Sequence, residues 1–213
     1  MKKVIIIDYN TGNLKSVLRS FQVHYKDVYL SKNPNDILDS THIVIPGVGS
    51  FNDGMRNLRE SGFYNSIINK CNIDKNIKIL GICLGMQLLS SYGIEGGRCD
   101  GLNLIKGNIY KLKSSSSKKL KIPHVGWNDI KIQKMHKIID NIKDGSDFYF
   151  THSYKFITDD YKNILATTSH TETFNSIVAD NDIIGVQFHP EKSGDSGLKL
   201  IYNFLNLWFY AKS

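Results

Sequence analysis

The chain has no apolar run near the roughly 18 residues that a membrane span needs. Its first apolar run, Val4–Ile7, stops at Asp8. The basic start Met1-Lys2-Lys3 therefore reads as the approach to a first strand, not as a signal peptide. Cysteine is scarce. Cys71, Cys83 and Cys99 are an odd count without metal-ligand spacing, which argues against a disulfide framework and for a reduced, cytoplasmic setting. Arginine is scarcer still than lysine, and the lysines are scattered instead of massed on one helix. A net charge of +7 is thus weak support for nucleic-acid binding. The densest basic stretch, Lys111 to Lys121, holds a serine run and reads as a solvated loop, with attraction to an acidic partner left open. Internal repeats and linker-like segments are lacking too. A length of 213 residues suits one domain, residues 1–213.

What is present alternates between strand and helix patterns. Residues 3–8 read as a strand buried on both faces, Leu14 to His24 as a helix, and Val28–Leu30 and Ile43–Ile45 as further strands. Gly54 to Lys70 has helical periodicity broken at Ser61-Gly62. Ile77–Leu80 predicts a strand, Leu84–Tyr92 a helix, and Gly93–Gly101 a loop. From about 104 to 188 short strand-like runs dominate, and Gly194–Tyr210 reads as a closing amphipathic helix. The pattern predicts an α/β fold, doubly wound, with a mostly parallel central sheet, helices on both faces and an added mixed or antiparallel strand region.

Gly81-Ile82-Cys83-Leu84-Gly85 joins the predicted strand to the predicted helix. A strand-to-helix turn with small residues two before and two after its centre is a nucleophile elbow, here with cysteine at the tip. The first amides of the helix favour negative charge, and the thiolate is the nucleophilic form. The same window also fits a buried structural cysteine between turn glycines. Near the other end, Ile183–Phe188 reads as a strand ending in His189-Pro190-Glu191. Residues i and i+2 of extended chain share a side. His189 can therefore act as general base and acid, with Glu191 to orient it. An exposed strand-end turn is the plainer alternative. Both pieces lie at C-terminal ends of predicted strands, where open α/β sheets carry their sites. Together they point to cysteine-dependent catalysis.

These two motifs, Gly81 to Gln87 and Gly185 to Lys192, resemble the class I (triad) glutamine amidotransferases. Asp8 to Leu14, Pro46 to Phe51, Pro123 to Asn128 and Tyr149 to Tyr154 are similar to the glutaminase subunits of imidazole glycerol phosphate synthase within that family. The likeness runs from about residue 4 to residue 209. It departs at Asn10 and Asn103, where the family commonly has glycine.

The resemblance implies a glutaminase that needs no metal and no organic cofactor. Cys83 would attack the glutamine side chain, with His189 and Glu191 completing the triad. Pro46-Gly47-Val48-Gly49 would be the oxyanion strand, with Val48, Gly49 and the Leu84 amide as donors. Gly47, Gln87, His152, Ser153 and Tyr154 would hold substrate. Asn10, Asn13, His124 and Trp127 would face a (β/α)₈ cyclase subunit that consumes the ammonia, forming a heterodimer without nucleic acid or membrane. Two flanking glycines would let the Val48 peptide turn between orientations and gate activity. A paralogous subunit feeding a sugar amidotransferase in surface-glycan synthesis, or a non-catalytic regulatory subunit, are the rival readings.

Overall fold

The structure is a computed structural model that describes residues 2–114 and 120–207. The first half runs β1 (Val4–Ile7), α1 (Leu14–Gln22), β2 (Val28–Ser31), β3 (His42–Ile45), α2 (Phe51–Glu60), α3 (Phe63–Ile73), β4 (Lys78–Ile82) and α4 (Leu84–Leu88). Then come β5 (Tyr92–Gly93), β6 (Cys99–Asp100), β7 (Gly107–Lys111), β8 (His124–Asp129) and β9 (Lys131–Ile132). The chain ends in β10 (Asp147–His152), β11 (Tyr154–Thr158), β12 (Ile164–Ser169), β13 (Thr173–Asp180), β14 (Ile183–Val186) and α5 (Gly194–Leu205).

The main sheet has eight strands in the order β2-β1-β3-β4-β14-β13-β12-β9. Its β2-β1-β3-β4-β14 half is parallel, and β13, β12 and β9 extend it antiparallel. The added strand region thus shares the main sheet, beside two smaller sheets, β10-β8 and β11-β7-β5-β6. Strand alternation sorts the core into two layers. Val4 and Ile6 of β1 pack with α1 and α5 residues such as Phe21 and Phe204, whereas Ile5 and Ile7 pack with α2 and α3 residues such as Met55 and Ile67. No helix among the described residues is long and apolar enough to cross a membrane.

The helix break expected at Ser61-Gly62 is there: Gly62 takes φ +80° between α2 and α3, a left-handed conformation open to glycine. Two expectations need correction. The helix after the elbow ends at Leu88, not Tyr92, because amides of the following loop take its last carbonyls. Leu102 N donates to Leu88 O at 2.8 Å and Leu104 N to Leu89 O at 2.9 Å. Tyr92 and Gly93 then turn into β5, which pairs with β6 inside the stretch expected as plain loop. The closing helix stops at Leu205. Residues 208–210 of the longer helix expected there, and 115–119 of the serine-rich loop, lie outside the described residues.

Candidate active site

Three neighbouring parallel strands end at one rim: β3 in Pro46-Gly47-Val48-Gly49, β4 in Cys83, and β14 in the run to His189. The elbow is forced by contacts. A side-chain carbon on Gly85 would lie 1.7 Å from the Ile45 carbonyl oxygen, and one on Gly81 would lie 2.6 Å from that of Gly85. Only glycine lets α4 start this close to the sheet. Cys83 itself sits at φ 53°, ψ −107°, a strained backbone for a non-glycine residue. Its amide donates to Val186 O at 2.8 Å, locking the elbow to β14.

The His189 amide donates to Tyr149 O at 2.9 Å, and the Ser193 hydroxyl donates to His189 O at 2.6 Å while accepting from the Tyr149 amide at 3.0 Å. The imidazole is thereby fixed at backbone level. Its Nδ1 bonds Glu191 Oε1 at 2.8 Å, with both side chains nearly fully buried. Nε2 is buried without a hydrogen-bond partner among the described residues. Burial works against charge on this ring, but the Cys83 sulfur and the Glu191 carboxylate outweigh it and raise His189 to about 10. This balance favours the charged form of the ring beside Cys83.

A cleft of about 350 Å³ opens over this rim. Val48, Gly49, Cys83, Leu84 and Gln87 line it, with Thr151-His152-Ser153-Tyr154 opposite. Gln87 Nε2 donates to Tyr154 O at 3.3 Å and to Gln187 Oε1 at 3.2 Å, which ties α4 to both walls. Gly47 is not part of the lining. It is buried one layer back, between Tyr9 and Leu84.

His152 is closed to catalysis by its bonds. Its Nδ1 contacts Tyr154 O at 2.8 Å and its Nε2 contacts His124 Nδ1 at 3.0 Å. His124 Nε2 accepts from Asn128 Nδ2 at 3.2 Å. One tautomer of each ring satisfies the whole chain, with protons running from Asn128 through His124 and His152 to Tyr154 O. Burial lowers His124 to about 3 and His152 to about 4, so both rings are neutral.

His124 was expected to face a partner, and this is corrected: it is 3% exposed, stacked between Phe150 and His170. The reason is parity. In β8 residues 124 and 127 are three apart and so point to opposite faces. Trp127 is 58% exposed, with Val125 beside it on the outer face. Asn10 and Asn13 are exposed in the β1–α1 loop.

Sequence reading missed Gln187 and Glu95. Gln187 Nε2 lies 3.9 Å from Cys83 Sγ. Its position two before His189 on an extended segment was the available signal. Glu95 lines the cleft, and its Oε2 accepts the Phe51 amide at 2.7 Å at the start of α2. It came from a glycine-rich loop with no pattern to single it out.

The model of the family "Glutamine amidotransferase class-I" matches residues 5–207. Imidazole glycerol phosphate synthase subunit HisH 2 of Methanococcus maripaludis is 44% identical over 95% of this chain and 98% of its own length. Subunit HisH 1 of the same synthase from Campylobacter jejuni is 41% identical over 96% of this chain and 100% of its own. Among solved structures, PurLQS from Thermotoga maritima superposes with a TM-score of 0.68 at 19% identity, covering 98% of this chain and 100% of that one, a likeness of fold. The chain belongs to the class-I glutamine amidotransferase family, and within it to the HisH group.

Proposed function

We propose that this chain hydrolyses glutamine through Cys83, His189 and Glu191 and delivers the ammonia to the cyclase subunit of an imidazole glycerol phosphate synthase, in the cytoplasm. The observation that carries the reading is the buried 2.8 Å bond between His189 and Glu191 beside the strained Cys83 elbow. The HisH name of the relatives supports the synthase and hence histidine biosynthesis.

In the proposed reaction Cys83 sulfur attacks the side-chain carbonyl carbon of glutamine. A C–S bond forms, and the carbonyl electron pair moves onto oxygen. The amides of Leu84 and of Val48 or Gly49 donate to that oxyanion. Its collapse breaks the C–N bond as His189 gives its Nε2 proton to the departing nitrogen, releasing ammonia. Water then attacks the thioester and gives a proton to His189, the C–S bond breaks, and glutamate leaves. Glu191 holds Nδ1–H throughout. Glu95 offers a carboxylate to the cationic amino group of the substrate, and Gln87 and the Ser153–Tyr154 segment supply the remaining contacts. The Val48 peptide is the proposed gate, because it is exposed between two glycines.

Cys83→Ala in the assembled complex is the test. It is expected to abolish glutamine-dependent synthesis, a loss on the order of 10⁴-fold or more, and to leave ammonia-dependent synthesis by the partner intact. Glutamine use that survives the substitution contradicts the reading.

A further inference from the structure

The β1–α1 loop meets the segment after β3 at a buried polar contact. Tyr9 is fully buried, and its hydroxyl donates to the Pro46 carbonyl at 2.6 Å. Burial pushes the phenol far above its ordinary value, so it remains a donor across the working pH range. The same hydroxyl oxygen stands 2.6 Å from where a side-chain carbon on Gly47 would be, and Leu84, next to the nucleophile, closes the other side at 3.1 Å. Gly12 adds backbone: a side-chain carbon there would lie 3.5 Å from Gly47 Cα.

Beyond Gly47 the packing thins until Ser50 caps α2, its hydroxyl accepting from the Asp53 amide at 3.2 Å. Val48 is 48% exposed, and a side-chain carbon on Gly49, at φ +116°, would meet nothing within 4 Å. The segment is thus held at Pro46–Gly47 on one side and at the Ser50 cap on the other, with Val48–Gly49 in open space between them. Tyr9 marks the first of these boundaries. A rotation of the open peptide delivers an amide to the developing oxyanion only if the Pro46–Gly47 end is in the right place. Misplacement by an ångström can cost about 10²-fold in rate.

We infer that Tyr9 is a positioning residue for glutamine hydrolysis: its hydroxyl anchors the Pro46–Gly47 peptide and so sets where the Val48 and Gly49 amides stand relative to Cys83. The inference rests on the proposed role of those two residues at the oxyanion. Tyr9 touches no reacting atom. Its effect runs through the backbone it holds, and it belongs to the transition state, where the oxyanion exists, more than to substrate binding.

Two reactions at Cys83 separate this role from a general loss of structure. Hydrolysis of glutamine passes through a tetrahedral oxyanion. Alkylation by iodoacetamide forms the C–S bond as iodide leaves and builds no oxyanion. Both rates are to be measured on the full chain with its cyclase partner, for wild type and Tyr9→Phe. The variant is expected to lose about 10- to 100-fold in kcat for glutamine, with KM changed less than about two-fold. Its Cys83 alkylation rate is expected to stay within about two-fold of wild type, because that step needs no oxyanion donor. Unchanged hydrolysis overturns the inference, and so does a matching loss in both reactions. Gly47→Ala pushes a methyl group against the same hydroxyl and is expected to give the same split, so it decides the question if Tyr9→Phe fails to fold. A wild-type chain that is alkylated at Cys83 yet never hydrolyses glutamine would instead sink the glutaminase reading, and this inference with it.

Discussion

At the scale of single residues, the proposed chemistry turns on where one proton sits. His189 is raised to about 10, first against burial and then by Cys83 and Glu191. A histidine whose folded value exceeds its unfolded value near 6.5 adds stability that is complete below about pH 6.5 and lost as pH rises through about 10. Glu191→Gln removes one of the groups that raise it. The deprotonation of His189, followed by NMR of the labelled ring, is therefore expected to move to lower pH in that variant, and the alkaline limb of the activity profile with it. An unmoved titration would contradict the role given to Glu191. His189→Ala is expected to approach the loss seen for Cys83→Ala, with Glu191→Gln milder, since the ring keeps its place through its backbone bonds to Tyr149 and Ser193. His152→Ala costing more than His189→Ala would reverse the assignment. Cys83 and His189 were legible in the sequence because motif spacing reports local geometry. Gln187 was within reach of the same period-two rule. Glu95 was not, because its place in the cleft depends on a long-range bond to the Phe51 amide.

At the scale of elements, the run Asn128–His124–His152–Tyr154 O joins β8 to the wall of the cleft. Both rings are held neutral, lowered by burial to about 3 and about 4. A histidine lowered below its unfolded value contributes stability that is present above about pH 6.5 and lost as pH falls toward the folded value. His42, likewise buried and lowered to about 3, adds to the same trend. The thermal midpoint is therefore expected to fall between pH 6.5 and 4. His124→Phe keeps the stack with Phe150 and leaves His152 Nε2 without its donor. It is expected to cost about 1–3 kcal/mol at neutral pH and to flatten the acid slope. A variant with the wild-type slope would show that His124 is not among the buried neutral rings. The parallel strands and the break at Gly62 could be read from the sequence, since apolar runs and a left-handed glycine act locally. The length of α4 could not, because distant amides end it. The facing of His124 was misread for want of strand parity, not for want of information.

At the scale of the whole molecule, the strand order brings β1, β3, β4 and β14 side by side, so their C-terminal ends form one rim. Tyr9, Val48, Cys83 and His189 come from segments far apart in sequence and meet there. The sheet class was readable from alternation along the chain. The continuation of the main sheet into β13, β12 and β9 was not, because pairing between antiparallel strands leaves no mark that distinguishes one sheet from two. On the outer face of β8, Trp127 and Val125 are apolar and exposed. Trp127→Ala is expected to weaken binding of the cyclase subunit by about 2 kcal/mol or more. Stability of the free chain should change by no more than about 0.5 kcal/mol, because an exposed side chain is removed. Full-strength binding by the variant, measured by calorimetry, would move the interface elsewhere. A histidine-pathway cyclase that never binds the wild-type chain would favour the surface-glycan pathway.

In the proposed reaction Cys83 forms the covalent intermediate with glutamine. Its most direct measurement is mass mapping of the chain after reaction with an electrophilic glutamine analogue. The predicted result is one adduct, on the peptide carrying Cys83, blocked by excess glutamine. An adduct on Cys71 or Cys99 with Cys83 unmodified would contradict it.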